Sequence, residues 1–547
     1  MIVKKDIENV NYKIGSEGVL MNKRDFNLIE EPWIPVVQSG LVSLRDIFSN
    51  QDLSALGGGV LEKIAVMKLL LAIAQAAYTP NDNEDWLRLG VLGLREKCLS
   101  YLERQKPSFF LYGEHPFLQF PQVKKVKNSK KNPKKYAFLF PEKASGNTTM
   151  LFHSQVTSEI IDDAQKALGV LVQMSCCFSG KQADQSVVLS PGYEKKGDEK
   201  SGPAIGSRGL LHSFFTGKNI LETIWFNLLT LQDISKDKTF TMGIGTPPWE
   251  NMPAGEDDEI ARSLKHSLMG RLVPMARFIF LGDEFYLVEG IRHNNYSDGV
   301  VDPSVTADFS QEQPKVVWAD PTKKPWRSLT AMLGFLDNKG TYVCQQLKWC
   351  LPRIESSSID SFGIWSGGIR LSKKGSVQYC TSGDDVVESE FSLKSSWLKE
   401  GVQREWFESV RSNMMKIENM AKSVEKAVNK YYDATHLSKH GEYAQRAEQD
   451  FWQEAEVFFE RLLCACDSVV NARNGGNAEG NDVQKVLESI LIRAQNCYIN
   501  ACPANTAKQL ELFVQFFPDL GIEKSTPFRG KKKCKTRTGK NASLTGF

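Results

Sequence analysis

The C-terminal part of the chain constrains the fold most, because its apolar residues recur at the three- and four-residue spacing of helices. This pattern covers residues 397–432, 442–471, 482–501 and 504–517. Asn474-Gly475-Gly476-Asn477 interrupts it with turn-forming residues. Four helices of this length joined by short breaks are typical of an antiparallel bundle. The sequence therefore predicts an all-α four-helix bundle over residues 396–520.

The residues before the bundle predict a domain of a different class. Residue character alternates along Phe26–Val37, which also carries two prolines, and this pattern suits an edge strand. The segment Arg271–Gly290 predicts a hairpin. The apolar segment Ile64–Ala77 has fourteen residues, which predicts a buried helix because it is too short to span a membrane. We therefore expect an α+β fold, with one large mixed globular domain over residues 21–395.

The two ends of the chain differ from these domains. Residues 1–20 are polar with mixed charges and lack the apolar core of a signal peptide. We interpret them as an N-terminal extension or as the product of an upstream start, with Met21 as the true first residue. Residues 521–547 form a basic tail that contains the cluster RGKKKCKTRTGK at Arg529–Lys540.

The overall composition is that of a globular protein whose positive charge is local. The 547 residues are 41% hydrophobic and 24% charged, which excludes global disorder and predicts two or more domains. The net charge of +3 argues against a nucleic-acid binder that is basic throughout. Eleven cysteines without a CxxC pair predict reduced thiols and a cytoplasmic protein.

Positive charge is most concentrated in the segment Gln122–Tyr136, which we call the lysine segment. No acidic residue lies between Glu114 and Glu142 to neutralise it. Asn, Ser and Pro residues break any regular period, so a loop is predicted, and its like charges repel until a polyanion binds. The alternative is a solvated insertion without a ligand. The candidate phosphate-binding residues are Lys124, Lys125, Lys127, Lys130, Lys131, Lys134 and Lys135.

Three further features are candidates for contact with DNA. The segment after the lysine segment contains Phe152-His153-Ser154, and Gly202–Gly209 is a glycine-containing loop whose backbone could approach a duplex closely. Ile364–Tyr379 predicts a hairpin with its turn at residues 373–375 and with cations at Arg370–Gly375. Backbone donors and a basic β-ribbon suit contacts to grooves and phosphates.

The common catalytic motifs are absent from the sequence. There is no phosphate-binding GxxxxGK[ST] loop, no GxSxG elbow and no HExxH zinc helix. Asp162-Asp163 and Asp257–Glu259 are the candidate carboxylates of a metal-dependent nuclease, but they also suit a helix N-terminus and an acidic loop. His436 and His440 have a metal-ligating spacing in a polar connection, where surface histidines are expected. We predict a non-enzymatic protein without metal or cofactor.

Taken in chain order, several segments make this sequence resemble CasA, the family of large subunits of the type I-E CRISPR surveillance complex Cascade. The resemblance spans Met21 to about Phe517. The segments that carry it are Phe26–Val36 (FNLIEEPWIPV), Glu114–Gln119 (EHPFLQ), Pro325-Trp326, Gly367–Arg370 (GGIR) and Asp450–Glu456 (DFWQEAE).

The resemblance implies a non-catalytic subunit that recognises the protospacer-adjacent motif in foreign double-stranded DNA. It implies opening of the duplex beside a guide RNA held by other Cascade subunits, and recruitment of a separate helicase–nuclease. The implied fold is a globular N-terminal domain followed by a helical bundle. A stand-alone metal-dependent nuclease and an RNA-binding scaffold are the alternatives, since a scaffold would explain the basic segments equally well.

The resemblance also assigns roles to individual residues. The first-loop aromatic corresponds to Phe152, followed by Ser154. The motif-sensing lysine is assigned to Lys315, shortly before Trp318. The tip of the wedge departs from the Asn and Gln often found in the family, so its lysines would favour phosphate over a base step. The glycine loop and the wedge are assigned to Gly202, Gly206, Arg370, Leu371, Ser372, Lys373 and Lys374.

Overall fold

The computed structural model divides into two compact units at the junction of Arg411 and Ser412. The first unit mixes helices and strands and the second is helical, which confirms the mixed helix-and-sheet class. The structure describes residues 26–125, 136–140, 161–178, 206, 208–256, 258–282, 285–291, 293, 302–337, 340–374, 377–380, 385–399, 401–436, 441–473 and 482–520.

The described residues form helices of very different lengths. None of them combines the length and the apolar character that crossing a membrane requires. The α-helices are α1 (Leu44–Ser49), α2 (Val60–Ala77), α3 (Asn83–Gln105), α4 (Asp163–Cys176), α5 (Ile220–Phe226), α6 (Leu231–Lys236), α7 (Glu259–Lys265), α8 (Met269–Leu272), α9 (Leu329–Met332), α10 (Gln345–Ser356), α11 (Gln403–Ala434), α12 (Gly441–Glu456), α13 (Phe459–Arg473), α14 (Asp482–Ala501) and α15 (Ala507–Gln515).

The strands pair antiparallel in small sheets. Among the described residues, two sheets have three strands, in the orders β12-β9-β3 and β7-β6-β8, and the pairs β1-β2, β4-β5 and β10-β11 are two-stranded. The strands are β1 (Ile34–Val36), β2 (Gly40–Val42), β3 (His212–Thr216), β4 (Arg277–Leu281), β5 (Phe285–Glu289), β6 (Thr306–Asp308), β7 (Lys315–Val316), β8 (Tyr342–Cys344), β9 (Ser361–Ile369), β10 (Ser372–Lys374), β11 (Val377–Tyr379) and β12 (Val386–Lys394).

Helix α2 runs through the core of the N-terminal unit, as its apolar sequence predicts, and is buried along most of its length. Its one buried lysine, Lys68, donates to Asp302 at 2.5 Å. Asp302 also accepts from the Ser304 hydroxyl at 2.7 Å, and Ser304 Oγ lies 2.8 Å from His212 Nδ1. Burial lowers the pKa of His212 to about 4, so this ring is neutral at pH 7. Among Lys68, Asp302, Ser304 and His212, the charge is therefore confined to the Lys68–Asp302 pair.

A buried arginine joins four helices behind the β3–β9–β12 sheet. Arg353 on α10 is fully buried and donates to Asp233 on α6 and to the Leu228 carbonyl at 2.9 Å. Its guanidinium lies over Trp86 on α3, whose ring stacks on Trp225 of α5 with centroids 3.8 Å apart. Each indole N–H donates to the other tryptophan's carbonyl, so the stacked pair has no unmet donor.

The predicted edge strand at Phe26–Val37 is a strand only over its last residues. Ile34–Val36 pairs with β2 in the register Ile34 to Val42. The preceding residues form turns, because their backbone pairs elsewhere: the Leu28 amide donates to the Phe109 carbonyl at 2.9 Å.

The predicted hairpin in Arg271–Gly290 is confirmed as β4 and β5.

The helical periodicity at the C-terminal end predicts the inward faces correctly. In the segment 442–471, however, the chain forms two helices, since it breaks at Val457, which is 74% exposed, before Phe458, which is buried. The four-helix bundle arrangement stays a prediction. The residues of α11 predicted to face inward are all buried: Trp406, Val410, Met414, Ile417, Met420, Val424, Ala427, Val428 and Tyr431.

The two compact units divide inside α11, and the predicted domain boundary near residue 395 stays a prediction. The predicted domain boundary near residue 395 follows the end of β12 at Lys394. The compact units divide after Arg411, because Trp406 on the first turns of α11 stacks on Trp397 with centroids 5.3 Å apart. The start of α11 is thus packed as part of the N-terminal unit.

We expect Asp233→Asn to lower the free energy of unfolding of the N-terminal unit by about 3–5 kcal/mol, because it leaves Arg353 as a buried charge without its counterion. The matched control is Glu408→Gln, which breaks the exposed pair with Arg404 and should cost under about 1 kcal/mol. Urea unfolding followed by near-ultraviolet circular dichroism of the stacked tryptophans measures both. Equal losses in the two variants would contradict a structural role for the buried pair.

Candidate nucleic-acid interface

The C-terminal end of β9 lies against the turn at Arg208 and Gly209, which we call the glycine turn. A Cβ atom on Gly209 would lie 1.7 Å from the carbonyl oxygen of Ile369, the last residue of β9. The φ of Gly209 is also +95°, a conformation that other residues rarely adopt. Both conditions require glycine, so the two backbones touch without a side chain between them.

Hydrogen bonds from three chain segments meet at this point. The Leu371 amide donates to the Arg208 carbonyl at 2.8 Å, and the Ala319 amide donates to the Gly209 carbonyl at 2.9 Å. Gly368 contributes a second close approach, because a Cβ there would lie 2.4 Å from the Leu210 carbonyl oxygen. The glycine turn, the segment after β7 and the end of β9 therefore form one backbone framework.

Gly206 extends this framework to the β10–β11 ribbon. Its φ is +69°, and a Cβ would lie 2.9 Å from the ring of Trp318. The Gly206 carbonyl accepts from the side-chain amide of Gln378 on β11 at 2.9 Å. Within the glycine loop predicted to approach DNA, Gly206 is thus held both to the ribbon and against Trp318.

The predicted hairpin Ile364–Tyr379 is confirmed only as the short antiparallel pair β10–β11, and its first part is wrong in its pairing. Strand β9 pairs over its full length with β12, and the ribbon is a separate pair in which Ser372 faces Tyr379 and Lys374 faces Val377. The chain changes partner at Arg370: its amide and guanidinium bind Asp385 at 2.8 and 2.7 Å. Lys373 and Lys374, placed by the prediction at the turn, have β10 backbone.

A cleft of about 820 Å³ opens beside the framework. Among the described residues that line it, the cations are Arg208, Lys323 and Arg370, and the acidic residue is Asp320. The Trp318 ring is part of the same wall and is half-buried. An excess of cations beside an aromatic ring suits phosphates and base edges, since guanidinium groups both pair with phosphate and stack.

Two of these cations, Arg370 and Arg208, differ in their ion-pair partners. The Arg370 side chain is 44% exposed and pairs with Asp385, whose side chain is 1% exposed. Arg208 is exposed and makes no ion pair within the described residues. Arg370 therefore also anchors the ribbon, whereas the Arg208 guanidinium is available to a ligand.

The structure brings only part of the predicted site together. Gly206, Arg370 and Ser372 lie in or beside the framework. Lys315 is on β7, exposed, and faces Asp308 across the strand pair, and it does not line the cleft. The chain leaves β7 at Val316, so the cation that this part of the chain contributes to the cleft is the later Lys323.

Most of the other predicted residues lie outside the described part of the chain. Lys124 and Lys125 end the 3₁₀ helix Pro121–Lys125, and these two residues are described only in their backbone. The predicted site residues that lie outside the described ranges are Lys127, Lys130, Lys131, Lys134, Lys135, Phe152, Ser154 and Gly202.

Both described ends of the lysine segment are fixed to the β4–β5 hairpin. Before it, Phe120 stacks on Phe278 with centroids 4.5 Å apart, and its amide donates to the Ile279 carbonyl at 2.7 Å. At its last residue, the Tyr136 hydroxyl donates to the Gly282 carbonyl at 2.9 Å. The chain on both described sides of the segment is thus anchored to the same hairpin.

The candidate nuclease carboxylates that the structure describes cap helices. Asp162 accepts from the Gln165 amide at 2.7 Å at the start of α4, and Asp258 accepts from the Ala261 amide at 2.7 Å at the start of α7. Asp163 accepts from the Tyr112 hydroxyl at 2.7 Å. Within the described ranges, no group of three or more His, Cys, Asp or Glu side chains could hold a metal ion.

Sequence reasoning missed Arg208 and Lys323 and used Trp318 only as a marker. Each had a weak signal: Arg208 is a cation directly before a turn glycine, and Lys323 begins a basic pair before Pro325-Trp326. Neither pattern is specific by itself. Their relevance follows from backbone pairing between segments far apart in the chain.

Comparisons with known proteins agree with one another. The family model described as CRISPR-associated protein Cse1 matches residues 27–494. The protein "CRISPR-associated protein CasA/Cse1" of Thermus thermophilus is 31% identical over 290 residues, which covers 50% of this chain and 52% of the relative. The alignment thus spans about half the length of that relative.

Solved structures are similar over nearly the whole chain. CasA from Thermus thermophilus has a TM-score of 0.65 at 20% identity, covering 90% of this chain and 98% of its own. Cse1 from Acidimicrobium ferrooxidans has a TM-score of 0.66 at 17% identity, covering 91% and 97%. A chain of a CRISPR RNA-guided surveillance complex has a TM-score of 0.59 at 15% identity, covering 86% and 99%. These similarities show the fold.

We expect Gly209→Ala to open the framework, because the added Cβ would force the Ile369 carbonyl away. The amides of Leu371 and Ala319, which donate to Arg208 and Gly209, should then exchange hydrogen for deuterium faster. Mass spectrometry of peptides covering these amides measures the change. Gly441→Ala is the control, since a Cβ there meets nothing within 4 Å. Unchanged exchange in Gly209→Ala would show that the contact is dispensable.

Proposed function

This chain belongs to the CRISPR-associated protein Cse1 family, and we propose that it is the DNA-recognition subunit of a type I-E CRISPR surveillance complex. In this role it recognises the protospacer-adjacent motif on double-stranded DNA and helps to open the duplex for pairing with the guide RNA. The protein reads a short duplex tag, and base pairing reads the remaining sequence.

The observation that carries the proposal is the cleft bordered by Gly206, Gly209, Trp318 and the ribbon that follows Arg370. Tight glycine turns allow backbone to approach a groove, and a two-stranded ribbon fits the width of a major groove. The exposed Arg208 guanidinium can bind either a phosphate or a base edge. One framework therefore presents donors, cations and an aromatic ring to the same ligand.

The ribbon is the part that we propose opens the duplex. Its base is fixed by the Arg370–Asp385 contacts, and its second strand is fixed by Gln378 to Gly206. A motif held in the cleft would therefore place the adjacent base pair against the ribbon. Because ammonium groups favour phosphate over stacked bases, we expect Lys373 and Lys374 to hold the backbone of a separated strand.

The lysine segment adds affinity without sequence preference in this proposal. Its two ends are fixed to the β4–β5 hairpin, as Phe120 and Tyr136 show. Fixed ends reduce the conformational entropy that a long basic loop loses on binding. Contacts between lysine and phosphate then contribute equally for all DNA sequences.

The assembly partners and the place of action are also part of the proposal. The partners are the other Cascade subunits with their guide RNA and a helicase–nuclease, and the compartment is the cytoplasm. The support is family membership together with the similarity to a chain of a CRISPR RNA-guided surveillance complex. We also propose that the helices of the C-terminal unit form the family's four-helix bundle. Co-purification of a guide RNA with the products of neighbouring genes tests the assembly.

We expect the double variant Arg208→Gln/Lys323→Gln, assembled with the neighbouring gene products and guide RNA, to bind target duplexes at least about thirtyfold more weakly. Two lost contacts of about 1–3 kcal/mol each have this effect. The differences in affinity among duplexes randomised beside the target should also become smaller. Filter binding followed by sequencing of the retained duplexes measures both.

The matched control is Arg88→Gln/Lys238→Gln, which removes the same charges from exposed positions that do not line the cleft. It should bind DNA as the parent does. An unchanged preference in the cleft variant would contradict recognition at this site. Preferred binding of structured RNA over duplex DNA would instead favour the RNA-scaffold alternative.

Replacing all seven lysines of the lysine segment with serine should weaken binding to every duplex alike. If about four of them contact phosphates, the slope of log affinity against log salt becomes less steep by about 3.6, which equals roughly a hundredfold in affinity between about 50 and 200 mM salt. Titrations over that range measure the slope. An identical slope in parent and variant would exclude the segment from DNA binding.

A further inference from the structure

The β3–β9–β12 sheet carries a second, smaller pocket that the proposed function does not use. One cross-strand row places Phe214 of β3 beside Trp365 of β9 and Trp365 beside Glu390 of β12. The two rings pack with centroids 6.3 Å apart. The pocket beside them has a volume of about 170 Å³.

Glycines on either side of Trp365 create the space. Gly363 and Gly367 lie two residues away and therefore share its face of the sheet. A Cβ on Gly367 would lie 2.6 Å from the indole, so the ring lies over this glycine. A Cβ on Gly363 would lie 2.2 Å from Thr216 Oγ1 and 3.3 Å from a Glu390 oxygen. Any larger residue would displace a wall of the pocket.

Apolar side chains form part of the wall, beside the polar and charged residues Lys63, Thr216, Glu388 and Glu390. Helix α2 contributes Met67, helix α5 contributes Ile220, and the chain between β1 and α2 contributes Val37 and Leu56. Apolar walls of this kind suit a hydrocarbon stem, such as the methylene groups of a long charged side chain.

Two carboxylates lie at the pocket, and they differ in their partners. Glu388 accepts from the Trp365 indole N–H and from Lys63, both at 2.6 Å. Glu390 accepts from the Thr216 hydroxyl at 2.7 Å, and no cation pairs with it in the part of the chain that the structure describes. The pocket therefore has one carboxylate, oriented by Thr216 and exposed, that still lacks a positive partner.

The size of the pocket limits what it can hold. Sites for small molecules have volumes of about 300–1,000 Å³, so this pocket has room for about one side chain. Tryptophan, tyrosine and arginine are the side chains that most often anchor protein interfaces by filling pockets. Of these, arginine alone supplies the charge that Glu390 lacks, and its planar guanidinium stacks on an indole and pairs with a carboxylate.

We propose that this pocket binds an arginine side chain of a protein partner, with the guanidinium between the Trp365 ring and the Glu390 carboxylate. The aliphatic stem of the arginine lies against Met67 and Ile220. The pocket is distinct from the cleft, because no described residue lines both.

The test uses the full chain labelled with 5-fluorotryptophan and titrated with N-acetyl-arginine amide. Fluorine NMR reports Trp365 directly, and Trp365→Phe identifies its resonance among those of the eleven tryptophans. We expect the chemical shift of this resonance to change during the titration and to reach a plateau. Glu390→Gln should weaken the affinity for the arginine probe about tenfold, because it removes a charge-assisted hydrogen bond. Glu312→Gln, an exposed glutamate outside the pocket, should leave the affinity unchanged.

Two controls separate arginine recognition from other causes. Thr216→Val removes the hydroxyl that orients Glu390 and should also weaken binding, so the proposal can be tested if Glu390→Gln unfolds. N-acetyl-leucine amide should shift the Trp365 resonance far less than the arginine probe. Equal shifts with both probes, or equal affinity in the parent and both pocket variants, would overturn the proposal.

Discussion

The contact between Gly209 and the Ile369 carbonyl is the constraint from which the rest of the candidate interface follows. Strand β9 is paired on one side with β12 over nine residues and on the other with β3 over five, so the position of Ile369 is set by a sheet. The glycine turn is built against that fixed carbonyl. The site is therefore determined by backbone, and its cations are placed on a rigid framework.

This backbone origin explains why the long helices were predicted better than the site. The periodicity of α11 and the apolar character of α2 depend on neighbours three or four residues away, and both are visible in the sequence. The division of segment 442–471 at Val457 follows from packing instead, because the sequence has no glycine or proline there. Local patterns thus predicted that a helix exists more reliably than where it ends.

The candidate interface was predictable only where one segment carries the signal alone. Gly206 and Arg370 are in segments with a recognisable turn or ribbon pattern, and both lie at the framework. Arg208 and Lys323 are brought to one cleft by pairing between segments more than a hundred residues apart, which a single sequence does not reveal. Lys315 was chosen by its proximity to Trp318, yet the chain leaves β7 between them.

The same strand explains why both sites share their dependence on glycine. Side chains alternate along β9, so Gly368 faces the Leu210 carbonyl while Gly363 and Gly367 lie on the face of Trp365. Glycine inside a strand costs about 0.5–1 kcal/mol relative to alanine. Three such residues weaken β9 by a few kcal/mol, and pairing on both of its edges offsets that cost. A β-branched residue would favour the strand but would fill one site or the other, so the two sites together account for the glycines of this strand.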